Sequence, residues 1–249
     1  MSKGIAITGM GIISVIGNNV DENYRSLIEG ETGISRISKI KTIHKDSIMV
    51  GEITFTNQEL EQHLGLPPNN NFSRTALLGV TAAKQAIENA GISNINIYKT
   101  GLISATSVGG MDRTEAHYYD YFENKATQKY IEGHHAGDST QKIAEQLGIE
   151  QSLVTTISTA CSSAANAIMF GARLIKSGQL ERVIVGGTDC LSKFTINGFK
   201  SLMIFSNNYN TPFDENRKGI IKAGFDADLT ILNNNILSIS EKDILNTEI

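Results

Sequence analysis

Thr155-Thr156-Ile157-Ser158-Thr159-Ala160-Cys161-Ser162-Ser163-Ala164-Ala165-Asn166-Ala167-Ile168 changes its periodicity once, and that change decides the fold. The β-branched beginning reads as a buried strand, Leu153 to Ser158. From Ser162 to Lys176 a helix follows, through Met169, Phe170, Ala172, Leu174 and Ile175. It is apolar on almost every side, so it is expected to lie inside the protein. A strand that turns directly into such a helix is the repeating unit of an α/β fold. The thiol of the stretch, Cys161, falls on the turn.

That placement suggests chemistry. The free N–H groups and macrodipole at a helix N-terminus favour a thiolate over a thiol. The same donors can stabilise the oxyanion formed when a thiolate attacks a carbonyl. An acyl-accepting nucleophile needs both. A lone cysteine more commonly serves as a small apolar filler, but the turn and its small neighbours favour the nucleophile here. Cys190, just after Gly187-Thr188-Asp189, has no such setting and reads as packing.

Working outward, short apolar runs alternate with amphipathic stretches. Gly4 to Thr8 reads as a first strand leading into Gly9-Met10-Gly11. Asp21 opens a helix to Glu29, stopped by Gly30. Thr56 with Glu59 forms a capping-box pattern before a short helix ending near Gly65. Ser73 begins a long helix to Ala90, with Ala76, Leu77, Val80, Ala83 and Ile87 at helical spacing. Gly101 to Ser107 is a buried strand ending in Val108-Gly109-Gly110. Asp138 with Gln141 caps a helix through Leu147, and Arg182 to Val185 is a further strand. The sheet is expected to be mixed or mostly parallel, with helices on both faces.

Composition narrows the function classes. The chain has 249 residues, 40% hydrophobic and 19% charged, with 23 glycines at no fixed period, which excludes disorder and collagen. Lysine plus arginine number 22 against 26 acidic residues, so clustered positive charge for nucleic acid is not expected. Two cysteines exclude a disulfide framework and suit a reducing cytoplasm. No apolar run approaches the roughly 20 residues that span a bilayer. The stretch Gly4 to Gly17 is broken by glycines and ends without a signal-peptide cleavage pattern. His134-His135 has no acidic or cysteine partner at ligand spacing, so a polar loop is the better reading than a metal site.

Thr159-Ala160-Cys161-Ser162-Ser163 resembles the nucleophile motif of β-ketoacyl-acyl-carrier-protein synthases, condensing enzymes of the thiolase superfamily. Ile7-Thr8-Gly9-Met10-Gly11, Gly30-Glu31-Thr32-Gly33-Ile34, Gly109-Gly110, Gly178 through Gly187 and Pro212-Phe213-Asp214-Glu215-Asn216-Arg217 follow the family order. The resemblance implies an α/β, thiolase-like chain: the N-terminal βαβ half of a duplicated fold, with a mixed sheet and buried helices. It covers residues 1–219, leaving 220–249 as a divergent tail. It further implies that Cys161 takes an acyl chain from acyl carrier protein. Decarboxylation of a malonyl thioester then supplies the carbanion that attacks it. By resemblance no metal or cofactor is used, the chain is a homodimer, and Thr114 and Phe199 line the acyl pocket.

Three departures accompany the resemblance. The family's two histidines and lysine for decarboxylation lie in the second half of the fold. Here the histidines are at 44, 63, 117, 134 and 135, all before Cys161. Beyond Gly219 the run Gly224-Phe225-Asp226-Ala227-Asp228-Leu229 is similar to a C-terminal strand entry of metal-dependent amidohydrolases. Asp112, Arg113 and Glu115 stand where long-chain synthases carry apolar pocket residues, and are either a solvated helix start or part of an unusual pocket. Three functions follow in order: a β-ketoacyl synthase inactive in condensation as this chain, a non-catalytic ketosynthase fragment or partner subunit, and an amidohydrolase.

Overall fold

Asn19 begins helix α1 (Val20–Glu29) by accepting the Glu22 N–H, and Gly30, at φ +68, closes it in the left-handed region. In this computed structural model residues 4–149, 152–203 and 205 are described. The chain divides into two compact units, Met1–Phe205 and Ser206–Ile249. The Pro212–Arg217 motif, the expected join at Gly219 and the tail beyond it lie outside the described residues.

After α1, strands β1 (Ile34–Arg36) and β2 (Met49–Gly51) pair antiparallel. Helix α2 (Asn57–His63) carries the expected capping box, with Thr56 and Glu59 bonded reciprocally. Ser73 caps α3 (Arg74–Asn89), and strand β3 (Thr100–Ala105) is buried along its whole length. Helices α4 (Met111–His117), α5 (Lys125–Glu132) and α6 (Ala136–Leu147) precede β4 (Val154–Ile157). A 3₁₀ turn, Ala160–Ser162, leads into α7 (Ser163–Lys176), followed by β5 (Arg182–Gly187) and α8 (Lys193–Ser201).

The larger sheet has the order β4-β3-β5, and both pairings are parallel. Alternation along β3 splits the core in two. Leu102 faces α3 and α6, packing with Leu77, Val80, Ile143 and Ala144. Ile103 and Ala105 face the other way, against Ala167 and Leu174 of α7. Helices therefore cover both faces, as the pattern predicts. No described helix is long and apolar enough to cross a membrane.

Three expectations need correction. Gly4–Thr8 is not a strand. The segment after it lies along α3, where Met10 N–H goes to Asn89 Oδ1 and Ile12 N–H to Gln85 Oε1. A Cβ on Gly11 would sit 2.0 Å from the Ala82 carbonyl oxygen, so only glycine allows that approach. Helix α6 starts two residues before Asp138, because His135 Nδ1 accepts the Gly137 N–H at 3.0 Å. Asp138 is instead spent on Lys142, 2.6 Å away. Finally, α7 is not buried all round. Ser163, Ala167, Gly171 and Leu174 face inward, while Ile168 is 54% and Met169 46% exposed. One face packs on the sheet, and no other described element covers the opposite one.

Candidate active site

The site is built where β4 ends and α7 begins. Between them Ala160 holds φ +51, the left-handed region that a side chain ordinarily costs about 1–2 kcal/mol to enter. The chain thereby reverses within three residues, and Cys161 is exposed on the bend. Side chains bracket it on both sides. Ser162 Oγ donates to the Thr159 carbonyl at 2.8 Å, and Asn166 Nδ2 donates to Thr159 Oγ1 at 2.9 Å. Ser163 Oγ accepts the Thr159 N–H at 2.8 Å and donates to the Ala160 carbonyl at 2.7 Å. No side chain caps the first turn of α7, while Arg173 and Lys176 occupy its last turn. That polarity leaves the Cys161 end suited to developing negative charge.

The neighbouring strand ends close in on the same edge. Thr188 N–H reaches the Ala105 carbonyl at 2.9 Å, joining the ends of β3 and β5. Asp189 Oδ1 accepts from Thr106 Oγ1 at 2.5 Å, Ser107 N–H at 2.9 Å and Val108 N–H at 3.1 Å. A Cβ on Gly187 would lie 3.1 Å from Ala164 Cβ and 3.2 Å from Ala105 Cβ. The first turn of α7 thus sits directly over the ends of β3 and β5. The carboxyl edge of a parallel sheet is where open α/β folds bind ligands.

Thr114 and Phe199 are brought to neighbouring helices. Glu115 of α4 accepts the N–H groups of Lys193 and Phe194 at 3.1 and 3.0 Å, tying α4 to the start of α8. Thr114 Oγ1 is 2.9 Å from His134 Nδ1, and Phe199 is 48% exposed. Among the described residues no hydrogen bond links either to the Cys161 turn. The charged run of α4 has structural employment. Asp112 accepts the Arg74 N–H at 3.0 Å, and Arg113 donates to the Phe72 carbonyl at 2.8 Å while facing Glu61.

Four of the five histidines, His44, His117, His134 and His135, are engaged elsewhere. His44 is buried with its Nδ1 3.0 Å from Lys200 Nζ. His117 stacks on Tyr130 at 4.5 Å, and partial burial beside Arg113 holds its imidazole below the ordinary range. His135 is the α6 cap. No three His, Cys, Asp or Glu side chains among the described residues are grouped to hold a metal. Cys190 packs in the main core at 4% exposure, and burial pushes its thiol up to about 12, with Asp112 and Asp189 adding to the effect. The sequence places Cys161 on the turn but does not show the hydrogen bonds that bracket it. The signal was three polar residues, Ser162, Ser163 and Asn166, at the head of a largely apolar helix.

Comparison with known proteins bears on the family and the fold. The family model described as "Beta-ketoacyl synthase, N-terminal domain" matches residues 2–224. The 3-oxoacyl-[acyl-carrier-protein] synthase 2 of Staphylococcus aureus (strain N315) is 26% identical over 231 residues, covering 88% of this chain and 55% of that protein. The Vibrio cholerae protein of the same name is 25% identical over 234 residues, covering 89% and 56%. Among solved structures, the ishigamide ketosynthase/chain length factor superposes with TM-score 0.74 at 22% identity, over 85% of this chain and 53% of that one. The ketosynthase ApeO, in complex with its chain length factor ApeC from Xenorhabdus doucetiae, gives 0.64 at 27%, over 83% and 52%. The chain spans about half the length of the curated relatives it matches.

Proposed function

The chain belongs to the β-ketoacyl synthase family through that family's N-terminal domain, and on this premise we propose that Cys161 is the acyl-accepting nucleophile of a decarboxylating condensation. The observation that carries the reading is the position of the thiol, exposed on a left-handed turn at the carboxyl edge of the parallel sheet. In the first half-reaction the Cys161 thiol gives its proton to water, and its sulfur attacks the carbonyl carbon of an acyl thioester on acyl carrier protein. The new C–S bond replaces the old one, and the pantetheine sulfur leaves and takes up a proton. In the second, a malonyl thioester loses carbon dioxide. The resulting carbanion attacks the acyl-cysteine carbonyl, forming a C–C bond and freeing Cys161.

The two halves make different demands. Acylation needs the thiol and nearby donors. Decarboxylation needs groups that hold an enolate, and every histidine of this sequence precedes Cys161. General acid–base groups contribute about 10²–10⁴-fold each, so the chain alone is expected to acylate without condensing. That imbalance favours a second reading, a non-catalytic ketosynthase fragment or partner subunit that keeps the binding surface. In both readings acyl carrier protein is the partner, the chain pairs with a second copy, and Thr114 and Phe199 line the acyl pocket. Two free cysteines suit the cytoplasm as the setting.

Mass spectrometry after incubation with an acyl-loaded carrier protein tests the proposal. The expected result is one acyl adduct mapped to Cys161, absent in Cys161→Ala, with no carbon dioxide released from malonyl carrier protein. A folded chain that never forms the adduct would favour the non-catalytic reading. Robust carbon dioxide release abolished by Cys161→Ala would overturn the separation of the two halves.

A further inference from the structure

The side chains that bracket Cys161 are not equivalent. Ser162 and Asn166 hold Thr159 alone, from the solvent side. Ser163 is 5% exposed and reaches both flanks of the turn with one oxygen. That oxygen accepts the Thr159 N–H at 2.8 Å and donates to the Ala160 carbonyl at 2.7 Å. The Ser163 N–H goes to the same carbonyl. Only the backbone torsions of Thr159 and Ala160 lie between these two anchors, and φ of Ala160, at +51, is one of them.

An alanine released from such anchors leaves the left-handed region, because its Cβ crowds the following carbonyl oxygen. Ordinary helix capping does not account for the arrangement. A capping side chain accepts an N–H from within the helix it starts, whereas Ser163 accepts one from four residues upstream, on the strand side of the bend. Losing its hydroxyl would cut both ties at once. Losing Asn166 would cut neither.

We infer that Ser163 is a positioning residue for Cys161, its hydroxyl holding Ala160 left-handed so that the thiol is aimed out of the bend. The catalytic meaning rests on Cys161 being the acyl acceptor, while the clamp itself rests on the hydrogen bonds alone.

The test compares Ser163→Ala and Ser163→Thr with the unaltered chain in three measurements. These are hydrogen exchange at the Thr159 amide, acylation of Cys161 by butyryl-pantetheine, and alkylation of Cys161 by iodoacetamide. Ser163→Ala is expected to speed Thr159 exchange about tenfold or more, with the amide of Leu174 within α7 unchanged. Acylation should slow about 10- to 100-fold, because attack on a bound thioester requires a fixed approach. Alkylation by a small reagent, needing no such approach, should change less than about threefold. Ser163→Thr keeps the hydroxyl and should restore both exchange and acylation.

Ala160→Gly guards against a folding defect, since glycine enters the left-handed region unaided. In that background Ser163→Ala should alter acylation less than about threefold, a coupling that independent sites would not show. Equal effects of Ser163→Ala in both backgrounds, or Thr159 exchange untouched by it, overturn the clamp. An unaltered chain that takes no butyryl group overturns the acyl-acceptor reading instead, and Thr159 exchange then still decides the clamp.

Discussion

Cys161 and Cys190 share a side chain and nothing else. One is exposed on a turn, and the other is sealed in the core beside Asp112 and Asp189. Only the thiolate reacts with an alkylating reagent, so limited iodoacetamide should modify Cys161 about 100-fold or more ahead of Cys190 in folded protein. Peptide mapping reads the ratio, and preferential labelling of Cys190 would refute the assignment. The same burial fixes a pH dependence. Below the ordinary thiol value of 9.0, folded and unfolded chains both keep the Cys190 proton, and its contribution to stability is fully present. Between there and about 12 the unfolded chain loses the proton and the folded one does not, so stability falls as pH rises. The slope for one group is about 1.4 kcal/mol per pH unit. Denaturation midpoints at pH 8 and pH 10.5 should converge more closely in Cys190→Ala than in the unaltered chain. An identical slope in both would show that Cys190 is not the group responsible.

Helix α7 reaches its place over the sheet because small residues line its inner face. A Cβ on Gly171 would stand 2.5 Å from Val185 Cγ1 and 3.0 Å from Val183 Cγ1. Both valines are stiff at χ1, so Gly171→Ala must push the helix away. The overpacking is expected to cost about 1–3 kcal/mol, more than the roughly 1 kcal/mol that alanine returns in helix propensity. A denaturant midpoint raised by this variant would contradict the close packing. Elements whose ends carry local chemistry were legible in sequence: the Thr56–Glu59 box, the Ser73 cap and the Gly30 stop all stand where expected. The β3–β4–β5 strands were legible as apolar runs. Ile5 and Ile7 form an equally apolar run, yet side chains of α3 capture the backbone just beyond it, a tertiary event that no local pattern announces. Helix α8 was not read from the sequence for a related reason, and α4 only as one of two readings of Asp112, Arg113 and Glu115. Glu115 supplies the N-terminal bonds of α8 from 78 residues away. Around Cys161 the strand-to-helix turn could be read from its neighbours, but the Ser163 bonds to Thr159 and Ala160 need three-dimensional distances.

On the scale of the whole molecule, the outer face of α7 is left open by the other described elements. Ile168 and Met169 of α7 stand about half exposed, in a chain spanning about half the length of its curated relatives. A few hundred Å² of uncovered apolar surface corresponds to several kcal/mol at roughly 25 cal/mol per Å². Light scattering at micromolar concentration is therefore expected to show self-association, and a hydrophobic dye to bind strongly. A monodisperse monomer that ignores the dye would sink the idea. The parallel sheet has a further consequence, which concerns order in time. Strand β3, fully buried, pairs at Thr100 with Arg182 and at Leu102 with Val154. At about 5–20 residues per second of synthesis, the central strand waits roughly 4–16 seconds for the second of its two neighbours. It has no partner until β4 follows, and one of its edges stays open until β5 is made. Nascent chains arrested before Arg182 should be cut by protease near β3, and chains arrested well beyond Gly187 should resist. Equal resistance at both lengths would mean that β4 and the helices already made shelter the strand before β5 arrives.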